Sequence, residues 1–207
     1  MALSALFLLF FLLQHLTINM MSVFSDDLFN ETSHFMGTNF LVQFLLQPLL
    51  IFAVVFHFVM GFILELKNRS SRDVNYAVFK GAANSSWTSR NMIISGLVIL
   101  AFIGLHFYDF WLPELDHKYI SVLPEDPSRY FGELQHKFAD LWRVILYCIA
   151  FVLLGLHLDH GFQSAFQSVG FNNKYTPSIK MLGTAYSILI PLGFIFIALF
   201  HYFTQSH

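Results

Sequence analysis

Charge is scarce in this chain. Asp, Glu, Lys and Arg make up 12% of its 207 residues, where a water-soluble domain carries about 25%. That scarcity excludes an ordinary soluble enzyme and a disordered segment, both of which depend on charged or polar surface. Positive charge is not in excess either. The formal net charge is -2, and the sequence has no basic concentration of the kind that holds nucleic acid. Cysteine occurs once, at Cys148. A disulfide framework, an iron–sulfur cluster or a zinc site built from several cysteines is thereby excluded. What is abundant is apolar: 56% of the residues are hydrophobic and 18% aromatic. Against that background stand ten histidines, almost as many as the eleven lysines and arginines together. Ionisable side chains in lipid are costly and mark functional positions.

About 20 consecutive apolar residues cross a bilayer as a helix. Five stretches qualify, over residues 1–21, 40–64, 92–111, 138–158 and 181–203. None alternates as a membrane strand does. The fold class expected is all-α, a single five-helix membrane domain. Pro191 falls inside the fifth stretch and predicts a kink there. The first stretch has no basic segment ahead of it and carries Gln14 and His15 within it, which argues against a cleaved signal peptide. Its abrupt apolar start leads us to expect a short cytoplasmic segment before Met1. The connections sort by charge. The second (Lys67, Arg69, Arg72, Lys80, Arg90) and the fourth (Lys174, Lys180) are basic. The first (Asp26, Asp27, Glu31) is acidic, and the third mixes both signs over a long, proline-bearing loop expected to form a small cap. By the positive-inside rule the basic loops are cytoplasmic. The N-terminus is then inside and the C-terminus outside, as in a multi-pass membrane protein.

On this topology one deep histidine falls in each of four successive helices: His15, His57, His106 and His157. Their depths alternate outer, inner, outer, inner. His15 and His106 share the outer level; His57 and His157 share the inner one. Two neutral imidazoles facing each other across a bundle are the ligand set of a six-coordinate b-type haem. Two levels imply two stacked haems. Gly61 and Gly161 each follow an inner histidine by four residues, on the same helical face, where a glycine leaves room for a macrocycle. Gly104 and Gly155 precede their histidines by two residues and point elsewhere. A satisfied polar residue in a helix interface is the plain alternative for any single histidine; the alternating pattern of four argues against it. Zinc fits less well, because the pairs lie at different depths without a thiol or carboxylate beside them. His160 rivals His157 in the fourth helix, closer to the surface beside Asp159. His201 is a weaker rival at the outer level. His34, His117, His136 and His207 fall in loops or at the terminus.

Three tracts carry a family resemblance. They are Met1-Ala-Leu-Ser-Ala-Leu-Phe continuing to His15, Trp87-Thr-Ser-Arg-Asn-Met92, and His157-Leu-Asp-His-Gly-Phe-Gln-Ser-Ala-Phe-Gln-Ser168. They resemble the five-helix, di-haem cytochrome b subunit of succinate dehydrogenase and fumarate reductase, most closely the succinate dehydrogenase form of Bacteroidetes-type bacteria. The resemblance extends over nearly the whole chain. It implies that His15 and His106 bind a distal haem, and His57 and His157 a proximal one. A histidine followed four residues later by glycine is the family's pattern and favours His157 over His160. The family's short basic segment before the first helix has no counterpart in the sequence given.

The resemblance also implies partners: a flavoprotein subunit with the dicarboxylate site and an iron–sulfur subunit, both on the cytoplasmic side near Arg69, Arg72 and Lys174. This chain, with no dinucleotide motif and no cluster cysteines, would relay electrons between the clusters and a lipid-soluble quinone, by resemblance menaquinone. Haem propionates need cations or hydrogen-bond donors. Trp87, Ser89 and Arg90 are candidates at the inner level, with Lys174 or Lys180, and membrane-interface anchoring is their other explanation. Arg143, inside the fourth helix, is the candidate at the outer level. A quinone site needs a proton-exchanging group, for which Asp26, Asp27, Glu31 and His34 are candidates; solvated loop charge explains them equally. Two other classes compete. A haem b quinone-reactive subunit of a hydrogenase or formate dehydrogenase also uses membrane histidines, but in a different helix order. A non-haem transporter should show broken or repeated helices, and only Pro191 hints at one.

Overall fold

The computed structural model describes residues 1–70 and 92–205, with the side chain of Arg69 left aside. Every element among them is helical. Helix α1 spans Ala2–Phe24, and Ser25 ends it. The Ser25 side chain accepts from Leu28 N, which starts α2, Asp26–Thr38, with Asp26 and Asp27 in its first turn. Carboxylates there complement the positive end of the helix. Helix α3 begins with a π-helical turn, Val42–Leu46, and continues as Gln47–Ser70. Helix α4 runs from Met92 to Ile120. It is α-helical over Met92–His106 and Leu112–Leu115, and π-helical over Phe107–Trp111 and Asp116–Ile120. A short amphipathic helix, α5, covers Arg129–Phe138. Asp140 caps α6, Leu141–Ser168, by accepting from Trp142 N. Gly170, at φ 92, closes the turn after α6, a conformation glycine adopts at no steric cost. Helix α7 spans Thr176–Thr204 with Pro191 inside it.

Five of these helices are long and apolar enough to cross a bilayer: Ala2–Phe24, Val42–Asn68, Met92–Ile120, Leu141–Ser168 and Thr176–Thr204. The five expected spans are all present, and each is longer than its apolar run. Helix α4 runs 29 residues, about 43 Å at 1.5 Å per residue, against a hydrocarbon core of about 30 Å. Its last turns therefore stand clear of the core. The acidic first connection is not a loop but helix α2. The third connection is built from the end of α4 and helix α5.

The best-packed core lies where α1, α6 and α7 meet under α2 and α5. Phe29, Leu134, Phe138, Val144, Tyr147, Phe151, Ile190, Phe194 and Ile197 fill it. Glycines let the helices approach. A Cβ on Gly155 would lie 3.0 Å from the Ser187 carbonyl oxygen, one on Gly183 would lie 2.8 Å from Phe162, and one on Gly193 would lie 2.9 Å from Leu16. Small residues at crossing points are the usual device for close helix packing in lipid. Helix α3 packs less closely and leaves Phe52, Val55, Val59 and Leu66 exposed. Phe10, Leu189 and Phe203 face outward on α1 and α7, as suits a lipid-facing surface. Contacts define two ends. At one, the Met1 methyl lies against Gly61 and the Met92 methyl against Gly161. At the other, Lys118 donates to the Gly37 carbonyl, Phe131 N to Asn30 Oδ1, and Gln205 to the Gln135 carbonyl. The spanning helices thus alternate in direction.

Candidate functional site

Two pairs of histidine rings meet inside this bundle. His15 on α1 and His106 on α4 have ring centroids 5.7 Å apart at 84°. His57 on α3 and His157 on α6 have centroids 6.5 Å apart at 68°. Neither α1 with α4 nor α3 with α6 is among the helix pairs that pack extensively together. The rings reach across the bundle instead, and all four are half-buried. Phe11, Phe102, Phe110, Tyr147 and Phe194 surround the first pair.

The second pair has its tautomer set by two serines. Ser4 Oγ donates to the Met1 carbonyl at 2.7 Å and lies 3.4 Å from His57 Nδ1. Ser95 Oγ donates to the Met92 carbonyl at 2.9 Å and lies 3.2 Å from His157 Nδ1. Each hydroxyl hydrogen is thus committed to its own helix, so each oxygen is left to accept. The hydrogen between Ser and His then belongs to Nδ1, and Nε2 keeps its lone pair on both rings. At the first pair, Asn19 Nδ2 donates to the His15 carbonyl at 2.8 Å and stands 3.4 Å from His15 Nδ1. His106 Nδ1 is buried without a hydrogen-bond partner among the described residues.

The pairs occupy separate levels. Ser4 and His15 are eleven residues apart on α1, and Ser95 and His106 are eleven apart on α4. Eleven residues are three helical turns on one face, about 16 Å of rise. Two helices therefore each present a hydroxyl to one pair and an imidazole to the other, at the same spacing.

The donor set can be tested against an ion. Among the described residues no three His, Cys, Asp or Glu side chains converge as a metal site. Each pair supplies two nitrogens, which suits a metal whose remaining ligands come from a macrocycle. With metal–imidazole bonds of about 2 Å and about 1 Å from nitrogen to ring centre, two opposed imidazoles would have centroids about 6 Å apart. The observed separations bracket that value. At Gly61 and Gly161 an added Cβ would meet only methionine methyls, at 3.7 and 3.6 Å. No packing among the described residues requires glycine there. Gly96 lies under His157, with its Cβ position 3.7 Å from Cε1, a neighbour that sequence spacing did not single out. The residues fit a haem at both levels.

The remaining candidates fall as follows. Trp87, Ser89 and Arg90 lie outside the described residues, as do Arg72, Lys80 and His207. Arg143, the outer-level propionate candidate, is already paired: its Nη1 donates to Asp109 Oδ1 at 2.7 Å. Asp109, 1% exposed, also accepts from Tyr147 OH at 2.8 Å. His201 is fully buried, with Nε2 2.8 Å from Ser22 Oγ and its ring packed on Phe131 and Phe200. It meets neither histidine pair. His160 is half-buried on α6. Asp26 lines an open cavity of about 300 Å³ with Ser22, Phe131, Gln135 and Phe200. Asp27 and Glu31 are exposed, and His34 packs its ring 6.3 Å from that of Tyr130. These four candidates therefore do not converge on one place.

Comparison with known proteins returned no matching family model, no matching curated protein and no matching solved structure.

Proposed function

We propose that this chain is the di-haem cytochrome b anchor of a succinate dehydrogenase or fumarate reductase, relaying electrons between an iron–sulfur subunit and a quinone. One observation carries the proposal: two facing imidazole pairs at levels about 16 Å apart along the helices, each pair spanning helices that do not pack closely. The family resemblance of the His15, Met92 and His157 tracts supports it. Bound between His57 and His157, and between His15 and His106, haem would supply a one-electron centre at each level. The chain's own part is to hold two neutral imidazoles at each. Ser4 and Ser95 fix the Nδ1 hydrogen of the inner pair, which leaves Nε2 basic and oriented. The aromatic shell of Phe11, Phe102, Phe110 and Phe194 keeps water from the outer pair. Menaquinone as acceptor, the cytoplasmic flavoprotein and iron–sulfur partners, and an inside N-terminus belong to the same proposal. They rest on the resemblance and on the charge of the connections.

The test is a dithionite-reduced minus oxidised optical spectrum of the purified protein with its co-purifying subunits, alongside haem quantification. Two b haems per chain are expected. His57→Ala or His157→Ala should remove one spectral component, and His15→Ala or His106→Ala the other. A wild-type protein with one haem or none would overturn the proposal.

A further inference from the structure

Asp109 is a carboxylate with 1% of its surface exposed, within a membrane-spanning helix. An ionisable group in that position is costly unless paired, and it marks function more often than stability. It is paired twice. Arg143 Nη1 donates to Oδ1 at 2.7 Å and Tyr147 OH donates to Oδ2 at 2.8 Å. The two donors stand four residues apart, one turn along α6. Asp109 sits three residues after His106, within the π-helical turn Phe107–Trp111. π-turns inside α-helices concentrate at functional places. The Tyr147 ring lies 6.3 Å from the His106 ring and 4.9 Å from Phe102, which stacks on His106 at 6.0 Å. The network is therefore built into the wall of the outer histidine pair. The inner pair has no counterpart among the described residues; hydroxyls from Ser4 and Ser95 stand beside it instead.

We propose that the Asp109–Arg143–Tyr147 network is a charge-balanced unit beside the outer haem, in which each of the two opposed charges acts on the redox potential of that haem and not on that of the inner one, and each holds the other's effect in check. This rests on the di-haem proposal above. The physical basis is a pair of opposite charges fixed in a medium of low dielectric constant close to one of two otherwise similar sites. A buried negative charge favours the oxidised, more positive centre, and a buried positive charge favours the reduced one. Together they nearly cancel, and the Tyr147 hydroxyl draws further negative charge off the carboxylate. One guanidinium nitrogen of Arg143 is engaged by Asp109.

The experiment is an optical redox titration of the purified complex, resolving both b components. The outer component is assigned as the one lost in His106→Ala. Asp109→Asn leaves Arg143 uncompensated and should raise the outer potential. Arg143→Gln leaves Asp109 uncompensated and should lower it. Each should change the reduced-to-oxidised ratio of the outer haem at fixed applied potential by on the order of tenfold. The double variant, Asp109→Asn with Arg143→Gln, should return towards the wild-type value, as coupled charges require. Tyr147→Phe keeps both charges and the ring and should lower the outer potential slightly, so it serves if a single charge variant fails to assemble. In every case the inner haem should not move. Equal movement of both haems, shifts of the same sign in both charge variants, or an unmoved outer haem in Tyr147→Phe and the charge variants would each overturn the proposal. Absence of haem from the wild-type complex is a separate outcome and strikes the di-haem proposal itself.

Discussion

At the scale of single residues, each inner imidazole has one hydroxyl beside its Nδ1: Ser4 at His57 and Ser95 at His157. A histidine in an apolar run is conspicuous, and helical rise converts its position into a depth without knowledge of the packing. A serine in such a run is not conspicuous, because it ordinarily satisfies itself on its own helix. Ser4 and Ser95 do satisfy themselves in that way, on Met1 and Met92, and it is this bond that leaves their oxygens to accept from His57 and His157. A signal was present all the same: a serine eleven residues before a histidine in both α1 and α4. Ser4→Ala or Ser95→Ala should release the imidazole without removing it. Loss of such an outer partner lowers metal affinity by about 10–100-fold. On the proposed function, inner-haem occupancy should fall in either variant while the outer haem stays full, read as haem per chain after detergent washing. Equal loss at both levels would show a general packing defect instead. Asp109 was overlooked because it falls near the expected end of the third apolar run, where a charge is unremarkable. The expected span 92–111 already held it, but only the packing of α4 on α6 shows that it faces Arg143.

At the scale of elements, hydropathy was enough to count the spans, since each must satisfy its backbone internally and present apolar side chains to lipid. It could not find α2 and α5. Both are short and amphipathic, and their polar residues resemble those of a loop. What makes them helices is tertiary. Phe29 buries itself from α2, and Leu134 and Phe138 do so from α5, all into the core above α6 and α7. An ion-pair group ties this cap together, with Glu114 between Lys118 and Arg129, and Arg129 stacked 4.4 Å over the Tyr130 ring. Two glycines that spacing had set aside as pointing away from the histidines separate packing from propensity. The Cβ of an alanine at Gly155 would press 3.0 Å from the Ser187 carbonyl on α7, whereas at Gly104 it would meet nothing within 4 Å. A backbone oxygen cannot step aside as a side chain can. Gly155→Ala should therefore destabilise by about 1–3 kcal/mol. Gly104→Ala should be neutral or stabilise by up to about 1 kcal/mol through helix propensity. Thermal unfolding in detergent, followed by circular dichroism, would separate the two. Equal melting of both variants would mean that the α6–α7 crossing is looser than its geometry indicates.

At the scale of the whole molecule, two levels about 16 Å apart need a reason on the proposed function. One centre would suffice if electrons entered and left at the same side of the membrane. A second makes sense where the quinone reacts at the far end, near His15, His106 and the α2–α5 cap. The cavity edged by Asp26, Ser22 and Gln135 also lies at that end. An electron carried outward from the cytoplasmic side moves with the membrane potential, which is worth about 2.3 kcal/mol per 100 mV for a full crossing. Succinate oxidation by a low-potential quinone is uphill, so the potential would drive the reaction in that direction. Succinate:menaquinone activity in energised vesicles should then fall when an uncoupler is added, and the reverse reaction should not. Orientation has to be fixed in the same preparation. Cys148 is the only native cysteine and is half-buried within α6, so a cysteine placed at Asp126, in the exposed turn before α5, gives a clean label. Membrane-impermeant reagent should reach it from the outside only. Labelling from the cytoplasmic side would invert the topology and the sign of the coupling. Activity indifferent to the uncoupler, with quinone bound at the level of Ser95 and His157, would place the reaction at the inner end and leave the outer haem without a role in turnover.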